Sequence, residues 1–408
     1  MTAGVVILGA SHAGVQCAAA LRESGYLGSI TLVDVQKDHP YQRPPLSKGF
    51  MTGAASAESL CLRGEVFFDA ENIDLRLGVQ AERIVRDEHK VLLSDGQELA
   101  YETLVIATGS RARPFLEDCA VENVYTLRTL RDAEAIRAAA ETTEGPVVIV
   151  GGGYVGLELA ATFRTHFQRI VHVVEAAPRL LMRAASPALS ALVAARHQEA
   201  GTVVHAGRCV TGLEQVNGAV SGVVMQDGEV LPAGLVIKGV GILPNQELAA
   251  MAGLDCQDGI LVDQYCRTSD SSIFAIGDCC RFPEAFSGRL VRLECVQNAH
   301  DQARTVASVI SGKAQPYTAV PWFWSDQLGM KLQTAGRWED GMTCAVRDES
   351  EKGKMSFFHF SYSGQLCAVE TVNHPALHIL SRRMILSGVF PEISQVENVD
   401  FDLKRLLA

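Results

Sequence analysis

Close cysteine pairs are missing from this chain. Its 11 cysteines include no Cys-x-x-Cys, and the only neighbours, Cys279 and Cys280, are too close for an unstrained disulfide. A scattered, odd-numbered set reads as small buried hydrophobes in a reducing compartment, not as a disulfide framework. The 11 histidines show no His-Glu-x-x-His or other ligand spacing, so no metal site is expected. There is no Lys/Arg run, and the formal net charge of −11 argues against a nucleic-acid partner. No uninterrupted apolar segment approaches the ~20 residues of a membrane helix. The apolar run near the N-terminus has no basic stretch before it and reads as a first strand rather than a leader. Together these absences imply a soluble, cytoplasmic protein with no membrane contact. What is plentiful is core: 48% of the 408 residues are hydrophobic and 20% charged, enough for two to three domains at about 150 residues each.

Two glycine-rich turns dominate what is there. The first, Gly9-Ala10-Ser11-His12-Ala13-Gly14, follows the apolar run Val5–Leu8 and leads through Ile30–Val33 to Asp34. The second, Gly151-Gly152-Gly153-Tyr154-Val155-Gly156, follows Val147–Val150 and leads through Val171–Val174 to Glu175. From last glycine to acid the offsets are 34 − 14 = 20 and 175 − 156 = 19 residues. That spacing sets a carboxylate on a ribose hydroxyl in a Rossmann unit. Two such units in one chain imply two dinucleotides, and a chain holding two dinucleotides passes electrons between them. Ser11 departs from the pattern, standing where a middle glycine would let backbone approach a pyrophosphate. Glu175 favours NADH over NADPH by repelling a 2′-phosphate; Arg179 and Arg183 either reach such a phosphate or are solvated.

The pattern predicts strand, helix and strand over 4–35, with the helix at Gly14–Ser24, and again over 147–174, with the helix at Gly156–Phe167. Short apolar strands ending in small residues at Ala107-Thr108-Gly109, near Gly241 and at Gly277-Asp278 fit the ligand edge of a doubly wound sheet. The expected fold class is α/β: two Rossmann-like dinucleotide-binding domains, one inserted in the other, plus a C-terminal α+β domain. The domains are 1–113 with 243–318, then 114–242, then 319–408. In the last, Lys331–Ala335 and Met355–Tyr362 read as antiparallel strands and Pro375–Leu386 as a helix. By pattern alone, Asp278 is equally a turn residue or a ligand of cofactor hydroxyls. Lys48, after Pro44-Pro45, reads as a solvated lysine, and Glu158 as a complement to a helix dipole.

Five strings change that reading: YQRPPLSK (41–48), ATGSRARP (107–114), GGGYVGLELA (151–160), FAIGDC (274–279) and PWFWSDQ (321–327). With them the chain resembles, over nearly its whole length, the FAD-dependent ferredoxin reductases of the putidaredoxin reductase type, relatives of apoptosis-inducing factor and monodehydroascorbate reductase. The resemblance implies FAD at the first turn, contacted by Gly9, Ser11, His12, Ala13 and Gly14, with Asp34 on the adenosine ribose. It adds Arg43, Pro44, Ala107, Thr108, Gly109 and Arg128, with Gly277-Asp278 on the ribityl chain and backbone near Val296 facing the ring. NADH takes the second turn through Gly151, Gly153, Tyr154, Val155 and Gly156, with Glu175 on its ribose; Arg183, Gly241 and Trp324 complete that side.

The implied chemistry passes hydride from NADH to FAD. Lys48 stabilises charge on the reduced flavin, held by Glu158; these are the two expected catalytic residues. With no redox thiol pair, electrons leave singly to a 2Fe–2S ferredoxin serving a monooxygenase or Rieske oxygenase. The protein is expected to be a monomer or homodimer. Since both partners of such a pair are acidic, docking needs a local basic patch, for which Arg304, Arg337, Arg382 and Arg383 are candidates, each equally readable as ordinary solvated surface. Two alternatives stand beside this: a reductase of another acceptor (rubredoxin, quinone or ascorbyl radical), and a redox sensor like apoptosis-inducing factor.

Overall fold

The run Val5–Leu8 is apolar at every position because both of its faces are covered, as a central parallel strand requires. In the computed structural model, which describes residues 4–116 and 121–407, it forms β1 (Gly4–Leu8), followed by α1 (His12–Glu23), β2 (Ile30–Asp34), β3 (Ile73–Leu77) and β4 (Glu98–Ile106). The middle of the chain supplies α2 (Leu130–Thr142), β5 (Val147–Val150), α3 (Tyr154–Thr165), β6 (Val171–Glu175), α4 (Pro187–Glu199), β7 (Thr202–Ala206) and β8 (Leu235–Lys238). Next come β9 (Ile273–Ala275) and α5 (Val296–Ile310). The last stretch holds β10 (Trp322–Gln327), β11 (Met330–Gly336), β12 (Thr343–Glu349), β13 (Lys354–Phe360), β14 (Leu366–Val372) and α6 (Pro375–Ser387).

The chain divides into two compact units. One comprises Met1–Arg43, Ser56–Arg111 and Ile242–Ala319; the other comprises Pro44–Ala55, Ala112–Gly241 and Val320–Ala408. In the first, β3-β2-β1-β4 run parallel, with Val5 opposite Ile30 and Leu8 opposite Ile106. The long strand β4 changes partners along its length: Leu104–Ile106 pair in parallel with β9, while Glu98–Ala100 pair with an antiparallel hairpin strand, Lys90–Leu93. Helices α1 and α5 pack against each other. Their shared core takes Ala13, Ala18 and Ala20 from α1 and Ala299, Ala303 and Ala307 from α5. Small side chains let the helices approach closely, and adding methylenes at Ala303 would cost about 1–3 kcal/mol in overpacking.

In the second unit β7-β6-β5-β8 are parallel, with Val171 between Thr202 and Val147. A separate antiparallel sheet runs β10-β11-β14-β13-β12, and α6 packs against it. Its register places Phe323, Thr334, Glu370 and Phe357 on one face; alternation adds Ser325, Gln327 and His359 to it. The other face carries Phe358, Val369 and Ala335 into a core with Leu377, Leu380 and Met384 of α6.

The α/β class with two nucleotide-type folds is therefore as the pattern predicts. Helices α1 and α3 each begin two residues earlier than periodicity indicated, because the turn residues His12 and Tyr154 already adopt helical geometry. Two groupings differ from the expected domains. Pro44–Ala55 joins the second unit, where Thr162 and Glu158 of α3 hydrogen-bond Ser47. The segment 319–408 has its own antiparallel sheet and α6, as an α+β C-terminal domain would, and it groups with the mid-chain fold, to which Ser186–Glu370 and His197–Gln327 tie its polar sheet face.

Candidate dinucleotide sites and a buried carboxylate

The two glycine turns are built alike. Gly9 and Gly151 both adopt φ +112°, and each donates its N–H, at 2.7 Å, to the last-but-one carbonyl of the next strand, Val33 or Val174. A Cβ on Gly9 would collide with the carbonyl oxygen of Ala107, and one on Gly151 with that of Gly239. Glycine is required at both positions by conformation and by contact. Gly14 and Gly156 likewise face the carbonyls of Gly9 and Gly151 across the first helical turn, with no room for a methyl.

Each acid is anchored by its own turn. Asp34 accepts the N–H of Ala10 at 2.6 Å and of Gln36 at 2.8 Å, one on each oxygen. Glu175 accepts the N–H of Gly152 at 2.7 Å and of Ala177 at 2.8 Å in the same way. The carboxylates are fixed in place, and each oxygen keeps a lone pair for a ribose hydroxyl.

The helix starts supply the complementary group. Neither Ser11 before α1 nor Gly153 before α3 caps its helix with a side chain, and neither first turn holds an acid. By contrast α2 has a Thr129/Asp132 capping box and α4 is capped by Ser186. The first-turn amides of α1 and α3 thus lack a side-chain cap at the points where a pyrophosphate would bind. Apart from its chain neighbours, no described atom lies within 4 Å of a Cβ built on Gly153, so the approach there is open. The residues present fit a dinucleotide at both turns.

Ser11 occupies in the first turn the place of Gly153 in the second. Its Oγ accepts from Arg43 Nε at 3.2 Å, and Arg43 N–H points to His12 Nε2 at 3.3 Å. The departure from the glycine pattern is thus coupled to a guanidinium held beside the helix start. Gly277, at φ +77°, sits so close to Ala13 that a Cβ would lie 3.1 Å from its methyl; its N–H goes to Gln302. Asp278 follows, accepting from Ser110 Oγ at 2.8 Å. Thr108 and Asn245 exchange two hydrogen bonds of 2.8 Å, which fixes the end of β4 around Ala107, Thr108 and Gly109. Val296 opens α5, whose N-cap Cys295 makes no side-chain cap.

In the second unit the two arginines after Glu175 separate. Arg179 donates to the carbonyls of Ala185 at 2.9 Å and Met182 at 3.1 Å, and lies over the Trp338 ring at 5.3 Å. It is committed to its own loop. Arg183 is exposed, with one guanidinium nitrogen 3.1 Å from where a Gly241 Cβ would be. Tyr154 packs on Phe323 with ring centroids 4.6 Å apart, next to Trp324, whose ring is 5.6 Å from Trp322. Val155 is half-exposed at the helix start. Arg128 stands just before α2, its N–H on Asp132, in the unit that holds the second turn.

Glu158 is buried and heavily used. One oxygen accepts from Lys48 Nζ at 2.7 Å and Ser47 Oγ at 2.5 Å; the other accepts from Ser325 Oγ at 2.6 Å. Lys48 also donates to the Pro44 carbonyl at 3.2 Å, which aims the ammonium. Lys48 and Glu158 are thus an ion pair, not a solvated lysine and a dipole ornament. Ser47 and Ser325 were not singled out from sequence; both lie inside quoted strings, but a lone serine has no spacing to mark it. Cys17 is fully buried in α1, and burial pushes its thiol up to about 12, so it packs and does not react.

Residues 3–303 match the pyridine nucleotide-disulphide oxidoreductase family, and residues 322–407 match a reductase C-terminal family. Putidaredoxin reductase of Pseudomonas putida is 40% identical over 410 residues, covering 99% of this chain and 96% of the relative. A rubredoxin-NAD(+) reductase of Pseudomonas putida is 39% identical over 372 residues, covering 91% and 96%. Among solved structures, a covalent putidaredoxin reductase–putidaredoxin complex matches with a TM-score of 0.95 at 39% identity, over 100% of this chain and 98% of that one. Paired glycine turns with anchored acids, and this agreement along the whole chain, place it in the pyridine nucleotide-disulphide oxidoreductase family, as a flavin-dependent oxidoreductase that uses FAD and NAD(H).

Proposed function

We propose that this protein is an NADH-dependent ferredoxin reductase of the cytoplasm, holding FAD at Gly9–Gly14 and NADH at Gly151–Gly156. The observation that carries this reading is the pair of helix starts without side-chain caps, each beside a carboxylate fixed by the backbone of its own turn. When bound, the two cofactors supply the redox chemistry: a hydride passes from nicotinamide to flavin, and electrons leave one at a time for a 2Fe–2S ferredoxin that serves a monooxygenase or Rieske oxygenase.

The chain's own residues bind, orient and balance charge. The amides at the starts of α1 and α3 take the pyrophosphates, Arg43 reinforces the first, and Asp34 and Glu175 take ribose hydroxyls. Asp278, steadied by Ser110, takes hydroxyls of the ribityl chain. Lys48 would supply fixed positive charge toward a bound flavin, an electrostatic role needing no proton transfer. Glu158 keeps that ammonium in place. Of the arginines suggested for docking, Arg304 pairs with Asp301 at 2.8 Å and Arg382 lies over Trp322 at 4.9 Å, while Arg383 is exposed on α6.

The test is stopped-flow reduction of the FAD-loaded enzyme by NADH. Lys48→Ala should slow flavin reduction by roughly 100-fold with FAD retained; an unchanged rate removes Lys48 from the mechanism. The rubredoxin-NAD(+) reductase relative favours a second reading, in which rubredoxin is the acceptor. Turnover with a 2Fe–2S ferredoxin and with rubredoxin, at equal concentrations, separates the two.

A further inference from the structure

We infer that Ser325 is a positioning residue for Lys48, acting through Glu158, so that the C-terminal sheet takes part in the redox site. This rests on the role proposed above for Lys48. The observation is a one-way chain of hydrogen bonds. His197 Nε2 lies 2.7 Å from Gln327 Oε1; that oxygen only accepts, so the imidazole donates. The amide of Gln327 is thereby oriented, and its Nε2 donates to Ser325 Oγ at 3.1 Å. With that lone pair taken, the Ser325 hydroxyl proton points to Glu158 Oε1, 2.6 Å away. Each donor of this chain, from His197 on α4 through Gln327 and Ser325 on β10, is directed toward the carboxylate.

The chain is dry: His197 and Ser325 are fully buried, and Gln327 and Glu158 are each 5% exposed. Burial of His197 lowers its pKa, which keeps the ring neutral, and the acceptor-only Gln327 oxygen selects the tautomer with its proton on Nε2. Glu158 needs this arrangement because its two oxygens have different duties. Oε2 carries both Ser47 and Lys48. Oε1 carries Ser325, which stops the carboxylate from rotating about its terminal torsion, a soft twofold coordinate when unrestrained. A carboxylate free to turn presents Lys48 with no fixed anchor.

Two measurements test this. In the apoprotein, acylation of Lys48 by an N-hydroxysuccinimide acetate, read by peptide mass spectrometry, should rise several-fold in Ser325→Ala, with Lys90 as an unchanged internal control. In the FAD-loaded enzyme, Ser325→Ala should reduce flavin about tenfold more slowly, the weight of one hydrogen bond to a charged group. It should add nothing in a Lys48→Ala background. Gln327→Met, which removes the donor behind Ser325 and keeps the volume, should move both readouts the same way. Unchanged Lys48 labelling, or an equal slowing by Ser325→Ala with and without Lys48, overturns the inference. If Lys48→Ala alone leaves reduction at the native rate, the reading of Lys48 fails, and this positioning role fails with it.

Discussion

Adding one methyl at Gly153 separates the fold from its ligand. The residue is the N-cap of α3 with φ −80° and ψ 175°, extended geometry open to any residue. Beyond its chain neighbours, a Cβ there meets no described atom within 4 Å. The cost to the fold of Gly153→Ala is therefore that of a poorer N-cap, about 0.5–1 kcal/mol. That is a fall of roughly 1–4 °C in Tm for a unit of this size. For a bound pyrophosphate the same methyl stands in the path of oxygens that must come to about 2.9 Å from the first-turn amides. Displacing the phosphates enough to break two charge-assisted bonds, each worth about 1.5–3 kcal/mol, costs 3 kcal/mol or more. NADH affinity should fall at least ~100-fold.

The first turn already carries a side chain at this position, and it shows what compensation requires: Ser11 Oγ holds the Arg43 guanidinium. Among the described residues, its chain neighbours aside, no side chain stands within 4 Å of a Cβ at Gly153, so alanine has no such help. Gly151→Ala is the control with the opposite balance. There the methyl meets the Gly239 carbonyl at φ +112°, so the strand-to-helix turn itself must shift, and Tm falls well beyond the Gly153 variant. Calorimetry together with titration of FAD-loaded protein by NADH reads both quantities. Normal NADH affinity in Gly153→Ala, with the fold intact, would refute the placement of the second dinucleotide.

Glu175→Gln keeps an acceptor for one of the two turn amides and removes the charge. The native enzyme should prefer NADH over NADPH by about 100-fold, from roughly 3 kcal/mol of repulsion between carboxylate and 2′-phosphate, and the variant should bind NADPH at least about tenfold more tightly than the native protein; unchanged NADPH affinity counts against Glu175 as the discriminator. His378 is buried with neither ring nitrogen hydrogen-bonded, and burial, then Arg382, lowers its pKa to about 4. Its folded value lies below its unfolded one, so its contribution is fully present above about pH 6.5 and is lost as pH falls towards 4, roughly 3 kcal/mol in all. His378→Leu should flatten denaturation midpoints across that window, and an unaltered pH dependence would contradict the assignment.

Much of this was legible in the sequence because it is local. A turn such as Gly151–Gly156 needs its glycines within six residues, and Glu175 follows at the length of one helix and one strand, so spacing alone carries the information. The strands Met330–Gly336 and Lys354–Phe360 were visible as alternation for the same reason. What escaped is long-range. Ser47, Glu158 and Ser325 meet across separations of 111 and 167 residues, and nothing near any of the three announces the others. Glu370 with Ser186 is another such case, and it ties the sheet of the C-terminal segment to the mid-chain fold. Arg179 and Arg183 looked equivalent as text; only the carbonyls of the loop and the Trp338 ring tell them apart.

The most direct measurement is an anaerobic visible spectrum of the purified protein, followed through additions of NADH and then an oxidised 2Fe–2S ferredoxin. Flavin bands that bleach with NADH and return stoichiometrically as the ferredoxin is reduced are the expected result. A protein that stays colourless with excess FAD, or whose flavin NADH leaves oxidised, would contradict the account.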